Sequence, residues 1–192
     1  SYTKAGCKGT ATPTAKDINK CLNTTKTSAK SASTHELKWI EIPEGVYEIG
    51  ADTSSFSFDN ERGRHRRFLE AYAISDRLIT NAEYIEFIQD GGYKQVQHWL
   101  SEGISWVRQE NIKAPLYWQL ENNKYKTYTL GGWKEIDPNA PVTHLSFFEA
   151  NAYASWRACR LPTEFEWEAF AKSQGDLDGG FLSDSLEPSR RH

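Results

Sequence analysis

Ala140–Ala171 reads APVTHLSFFEANAYASWRACRLPTEFEWEAFA and carries two helix-start signals. Ser146 and Glu149 stand three apart, as do Thr163 and Glu166. In that spacing the hydroxyl and the carboxylate each satisfy an amide that the first helical turn leaves unpaired. Two helices are therefore predicted. In the first, Phe147, Phe148, Ala150, Tyr153, Ala154 and Trp156 mark the buried side, and in the second Phe165, Trp167, Ala169 and Phe170, with Gly175 as the stop. Glu164, Glu166 and Glu168 alternate, so on a helix they fall on different faces and cannot pair as acid and base. Glu166 reads as a capping residue.

Working outward, Thr80 and Glu83 repeat the signal before Tyr84, Ile85, Phe87 and Ile88, and Gly91-Gly92 ends that helix. Strands are short. WIEIPEGVYEIG, residues 39–50, reads as a hairpin around Pro43-Glu44-Gly45. FLEAYAI at 68–74 reads as one further strand, and LYWQLENNKYKTYTL at 116–130 as a second hairpin turning at Asn122-Asn123. Short strands among about three helices, with no alternation of strand and helix, predict an α+β fold rather than a parallel sheet.

The chain has 192 residues, 38% hydrophobic and 13% aromatic with seven Trp, and carries a net charge of -3. That is one main domain with aromatic-dominated packing. The charge is unevenly placed. Residues 1–34 hold six lysines and one acid, about +5, against about -8 for the remainder. Tyr2, Ile18 and Leu22 are the only sizeable apolar side chains of that stretch, too few to offset ordering entropy, so it reads as a basic, disordered arm or linker. Its lysines are spread out without arginine or interleaved aromatics, which argues against a nucleic-acid partner. No apolar run is long enough to cross a bilayer and no secretory pattern opens the chain, so no membrane association and a cytoplasmic location are expected. Cys7, Cys21 and Cys159 form no CxxC pair and suggest neither a disulfide framework nor a zinc site.

Four stretches together resemble formylglycine-generating-enzyme (sulfatase-modifying-factor) domains: IPEGVYEIG, LITNAEYIEFIQDGGY, the Pro-Val before one helix, and the LPTEFEWE run opening the next. FSFDNERGRH at 56–65, DGGYKQVQHWLSEG at 90–103 and APLYW at 114–118 are similar to the branch found in hercynine oxygenases of ergothioneine biosynthesis. The resemblance covers roughly residues 38–182. It implies an irregular α+β domain of C-type-lectin-like fold, with 35–192 as its N-terminal part, incomplete at both ends. In that family the whole enzyme joins this domain to a DinB-like bundle whose histidines hold Fe(II), and its partners are hercynine, a cysteine-containing thiol and O2. His35, His65, His98, His144 and His192 show no ligand spacing of that kind, so no metal, no cofactor and no catalytic residue is expected in this chain. The resemblance thus implies a non-catalytic part of an iron-dependent sulfoxide synthase. A stand-alone lectin-like binding module and a sulfatase-modifying factor are the alternatives.

Candidate site residues fall in two groups. Trp99, Tyr117 and Trp118, with Trp106, would suit an aromatic wall against a small ligand, although core packing is the favoured reading. Asp59, Asn60, Glu61 and His65 would suit a polar cleft or metal site. For these a loop held by Asx-type bonds and pairing with Arg62, Arg64 or Arg66 is favoured. His144, between Val142 and Leu145, reads as a core histidine.

Overall fold

The computed structural model describes residues 3–4, 36–51 and 57–174. They divide into two compact units, the first drawn from residues 1–42 and 72–162, the second from 43–71 and 163–192. Both are built from helices and short antiparallel strands, an α+β fold. The basic stretch lies outside the described residues except at Thr3–Lys4 (β1).

In the first unit β2 (Trp39–Ile42) and β1 flank β5 (Tyr72–Ser75), both antiparallel to it, with Ile40 opposite Ile74 and Thr3 opposite the same residue. All four residues of the central strand are buried, as expected for a strand covered on both faces. The second unit holds β3 (Gly45–Ile49) against β4 (His65–Leu69). Two strand expectations are corrected here. WIEI and GVYEI are not a hairpin, because each pairs with a different later strand. FLEAYAI is two strands rather than one, broken at Glu70-Ala71. Pro43 supplies no backbone N–H for a ladder and fixes its own φ, so the break falls naturally after Ile42.

All three predicted helices form at their predicted caps. Helix α1 (Asn81–Gln89) begins where the Glu83 carboxylate accepts from the Thr80 N–H at 2.9 Å, and Gly91 follows it at φ 80°. A fourth helix, α2 (Ser101–Gln109), was not predicted. Leu100 at its cap makes no side-chain bond, so it lacks the sequence signal of the others. Its buried face is Gly103, Ile104 and Val107, and Gly103 lets the Phe148 ring approach closely. Helix α3 (Phe147–Trp156) starts at Ser146, whose N–H donates to Glu149 Oε2 at 2.8 Å. Phe147 is 62% exposed and Ala152 takes the core position instead, a correction to the predicted face. A helix this rich in apolar side chains cannot bury them all on one stripe.

The core of this unit is aromatic. Tyr84 stacks on Tyr153 with centroids 5.4 Å apart, Phe87 meets Tyr153 edge-on at 5.8 Å, and Tyr93 packs against Trp99 at 5.4 Å. A meander of β6 (Trp118–Glu121), β7 (Lys124–Thr129) and β8 (Gly132–Glu135) completes the unit. The predicted hairpin forms, with Asn122 and Asn123 at φ 49° and 63°, the left-handed pair that a two-residue turn requires. In the second unit helix α4 (Glu164–Ser173) is capped by Thr163, whose N–H donates to Glu166 Oε2 at 2.8 Å. Glu166 and Ala169 face inward while Trp167 is 55% exposed, against the predicted face, and Gly175 lies outside the described residues. Glu168 accepts from the Gly50 N–H at 2.7 Å and Lys172 donates to the Glu48 carbonyl at 2.9 Å, fastening the helix to the β3 end.

A methyl group at Gly92 would lie 2.1 Å from Cε2 of the fully buried Phe87. Gly92→Ala is therefore expected to lower stability by about 1–3 kcal/mol in a urea titration. Burial disfavours the charged Glu83 carboxylate, yet hydrogen bonds from Arg77 and Thr80 and the Arg77 charge outweigh it and hold its pKa below the ordinary value. A depressed carboxylate stabilises the fold above its unfolded pKa, and that stabilisation is lost as pH falls through the folded pKa. The urea midpoint of the native chain should drop through that acid window, and Glu83→Gln should flatten the drop.

Candidate functional site

Helix α2 ends at Gln109; Asn111, two residues on, is in the left-handed region at φ 52°, with the Ile112 N–H donating to the Val107 carbonyl at 2.9 Å. The chain then turns tightly, since the Trp118 N–H donates to the Pro115 carbonyl at 3.0 Å. Tyr117 takes the third place of this turn at φ 68°, where glycine or asparagine fits with least strain. Its ring meets that of His144 edge-on, centroids 4.9 Å apart at 89°. His144 is itself left-handed, at φ 62°. A bulky residue in that region costs on the order of 1–3 kcal/mol, so the two together are a local store of strain.

Trp118, one residue on, opens β6 and is half-buried, with its ring 6.3 Å from Tyr84 and 5.7 Å from Tyr125. Burial pushes the Tyr125 hydroxyl pKa above its ordinary value. Between the turn and the sheet lies an open depression of about 500 Å³, whose lining includes Lys113, Pro115, Tyr117, Trp118, Leu120 and Tyr125. The structure thus brings Tyr117 and Trp118 together and sets Trp99 elsewhere. Trp99 is 8% exposed and belongs to the aromatic core, where its Nε1–H donates to the Gly92 carbonyl at 2.8 Å. Trp106 packs half-buried against the same core. His144 is exposed, which corrects its reading as a core histidine. It lies in a bend ahead of the Ser146 cap.

In the second unit Asp59, Asn60 and Glu61 form one 3-10 turn. Glu61 accepts from the Phe58 N–H at 3.0 Å, and its carbonyl accepts from Ala51 at 2.8 Å. Arg62 donates to the Ser57 carbonyl at 3.2 Å and Arg64 pairs with Glu48. His65 Nδ1 lies 2.9 Å from the Gly63 carbonyl and so is placed to donate to it. The His65 ring stands edge-on to Phe165 at 6.0 Å, and the Arg67 guanidinium lies 4.3 Å from the centre of the Phe165 ring. Among the described residues no three His, Cys, Asp or Glu side chains converge as metal ligands would.

Sequence reasoning missed one buried polar network. Glu149, read as a cap, is only 2% exposed, and its second oxygen accepts from the Tyr93 hydroxyl at 2.5 Å. The Tyr84 hydroxyl lies 3.3 Å from that of Tyr93. Burial first, then the neighbouring Tyr84 and Glu149, push the Tyr93 pKa far above its ordinary value. Tyr93 directly follows the Gly91-Gly92 helix stop, and nothing local shows that its hydroxyl will meet a residue 56 positions later.

The model for the sulfatase-modifying factor enzyme 1-like domain matches residues 24–191. A hercynine oxygenase of Mycolicibacterium smegmatis is 40% identical over 129 residues, covering 66% of this chain and 29% of that protein. A formylglycine-generating enzyme of Bos taurus is 29% identical over 169 residues, covering 81% of this chain and 45% of that protein. An inactive C-alpha-formylglycine-generating enzyme 2 of Bos taurus is 27% identical over 155 residues, covering 74% and 50% respectively. The chain therefore spans less than a third of the hercynine oxygenase and about half of the other two. No helix of the described residues is long and apolar enough to cross a membrane.

Tyr93→Phe removes one donor from a buried carboxylate while leaving the ring in place. It is expected to lower the unfolding free energy by about 1–3 kcal/mol, read from denaturant titration.

Proposed function

Because the chain belongs to the family of sulfatase-modifying factor enzyme 1-like domains, we propose that it supplies scaffold to a hercynine oxygenase, an ergothioneine-pathway enzyme acting on hercynine. The observation that carries this reading is the 40% identity to a hercynine oxygenase over 129 residues, against 29% to a formylglycine-generating enzyme. The co-substrates of the proposed reaction are a cysteine-containing thiol and O2, and the product is a sulfoxide with a new carbon–sulfur bond. Iron(II) would supply O2 activation, held by side chains outside the described residues, in a DinB-like helical domain. What this chain contributes is rigid: three capped helices and an aromatic core able to hold loops in place. Asp59, Asn60, Glu61 and His65 belong to that support, since the contacts of Glu61 and His65 fasten the turn to its own neighbours. A cytoplasmic location goes with this reading.

A second reading, a binding module without catalysis, draws on the likeness to the inactive C-alpha-formylglycine-generating enzyme 2. One set of assays separates the readings. The gene-encoded polypeptide carrying this chain, given iron(II), hercynine, a cysteine-containing thiol and O2, should form the sulfoxide by mass spectrometry, and the 192-residue chain by itself should form none. Conversion of a sulfatase cysteine peptide to formylglycine instead would replace the hercynine oxygenase assignment. Absence of both products from the gene-encoded polypeptide would favour the binding module, and turnover by the 192-residue chain would overturn the scaffold role.

A further inference from the structure

Six non-glycine residues among those described adopt left-handed backbone: Asn111, Tyr117, Asn122, Asn123, His144 and Ala158. Four have a local reason. The asparagines sit in turns that favour a short amide. Ala158 follows the end of α3, where the Cys159 N–H donates back to the Ala154 carbonyl at 2.8 Å. Tyr117 and His144 have no such reason. The Tyr117 carbonyl accepts from the Tyr128 N–H at 2.9 Å, a bond that glycine at the same position would make equally well. Burial does not repay the strain either, because Tyr117 is 47% exposed and His144 is exposed. What these positions gain from bulky side chains is a tyrosine ring held at right angles by an imidazole at the mouth of a depression.

We propose that Tyr117, braced by His144, forms with Trp118, Tyr125 and Lys113 a binding subsite for a small aromatic carboxylate. The inference does not rest on the enzyme reading above. The depression, about 500 Å³, has the size of a small-molecule site, and Tyr117, Trp118 and Tyr125 are among the residues that line it. Ring faces alone would also accept a cation. Lys113 decides between the two: it is the only charged side chain of the lining, and no carboxylate accompanies it. A cation would be repelled there, and an anion finds its counter-charge. His144 is a positioning residue in this arrangement, acting through the Tyr117 ring.

The test uses the 192-residue chain with phenylacetate as probe and phenethylammonium as its charge-reversed counterpart, observed by NMR at the Trp118 indole and the His144 ring. Phenylacetate should give saturable shifts at both with millimolar affinity, and phenethylammonium should bind about tenfold more weakly or not at all. Tyr117→Gly should abolish the shifts at Trp118 while the thermal midpoint holds or rises, because glycine relieves the turn. Lys113→Gln should weaken phenylacetate and leave phenethylammonium no worse. The proposal is overturned by non-saturable shifts, by phenethylammonium binding as well or better, or by a Tyr117→Gly chain that keeps its affinity. It is equally overturned if that variant melts earlier than the native chain, since the ring would then be structural.

Discussion

A carboxylate almost fully withdrawn from water must have its lone pairs met by donors, and Glu149 meets this requirement from two directions. One oxygen accepts from the Ser146 backbone and hydroxyl, which starts helix α3, and the other accepts from Tyr93, beyond the end of α1. The same side chain therefore ends one element's need for a cap and fixes where another must lie. Phe87 and Trp99 pack against the Tyr93 ring, and Phe87 in turn meets Tyr153, which stacks on Tyr84. Removing the carboxylate would leave buried donors without partners, so the aromatic core and the helix start depend on one group.

The second unit uses the same local chemistry to a different end. Glu166 caps α4 as Glu149 caps α3, but Glu168 and Lys172 on the exposed turns reach the backbone at Gly50 and Glu48. Gly50 stands at φ 97°, and a side chain there would meet the Arg64 backbone at 3.1 Å. The acidic turn at Asp59–Glu61 is likewise occupied with its own backbone and neighbours. Among the described residues Glu149, Glu166 and Glu168 thus act as fasteners between a side chain and the backbone. The strained pair Tyr117 and His144 stands apart from this pattern, since there the side chains oppose the backbone preference instead of serving it.

Much of the fold was legible because its signals are short. Each Ser/Thr-x-x-Glu box is satisfied within one helical turn, and an Asn-Asn turn selects its own conformation, so Thr80, Ser146, Thr163 and Asn122-Asn123 could be read without knowing their surroundings. The family was legible for a similar reason: its motifs are contiguous runs. The candidate site was legible only in its residue types. Tyr117 and Trp118 were singled out, but Trp99 belongs to the core and His144, not Trp99, is the neighbour of Tyr117.

The amino-acid sequence by itself determined the α+β class, three helix starts, one hairpin and the family. Only the tertiary structure decided that Trp39–Ile42 pairs with Tyr72–Ser75 and Gly45–Ile49 with His65–Leu69, that Ser101–Gln109 is a helix, and that Phe147 and Trp167 face outward. Capping and turning are settled by hydrogen bonds between near neighbours in the chain. Strand partners and burial are settled by contacts tens of residues apart, and such contacts exist only once the chain has closed on itself.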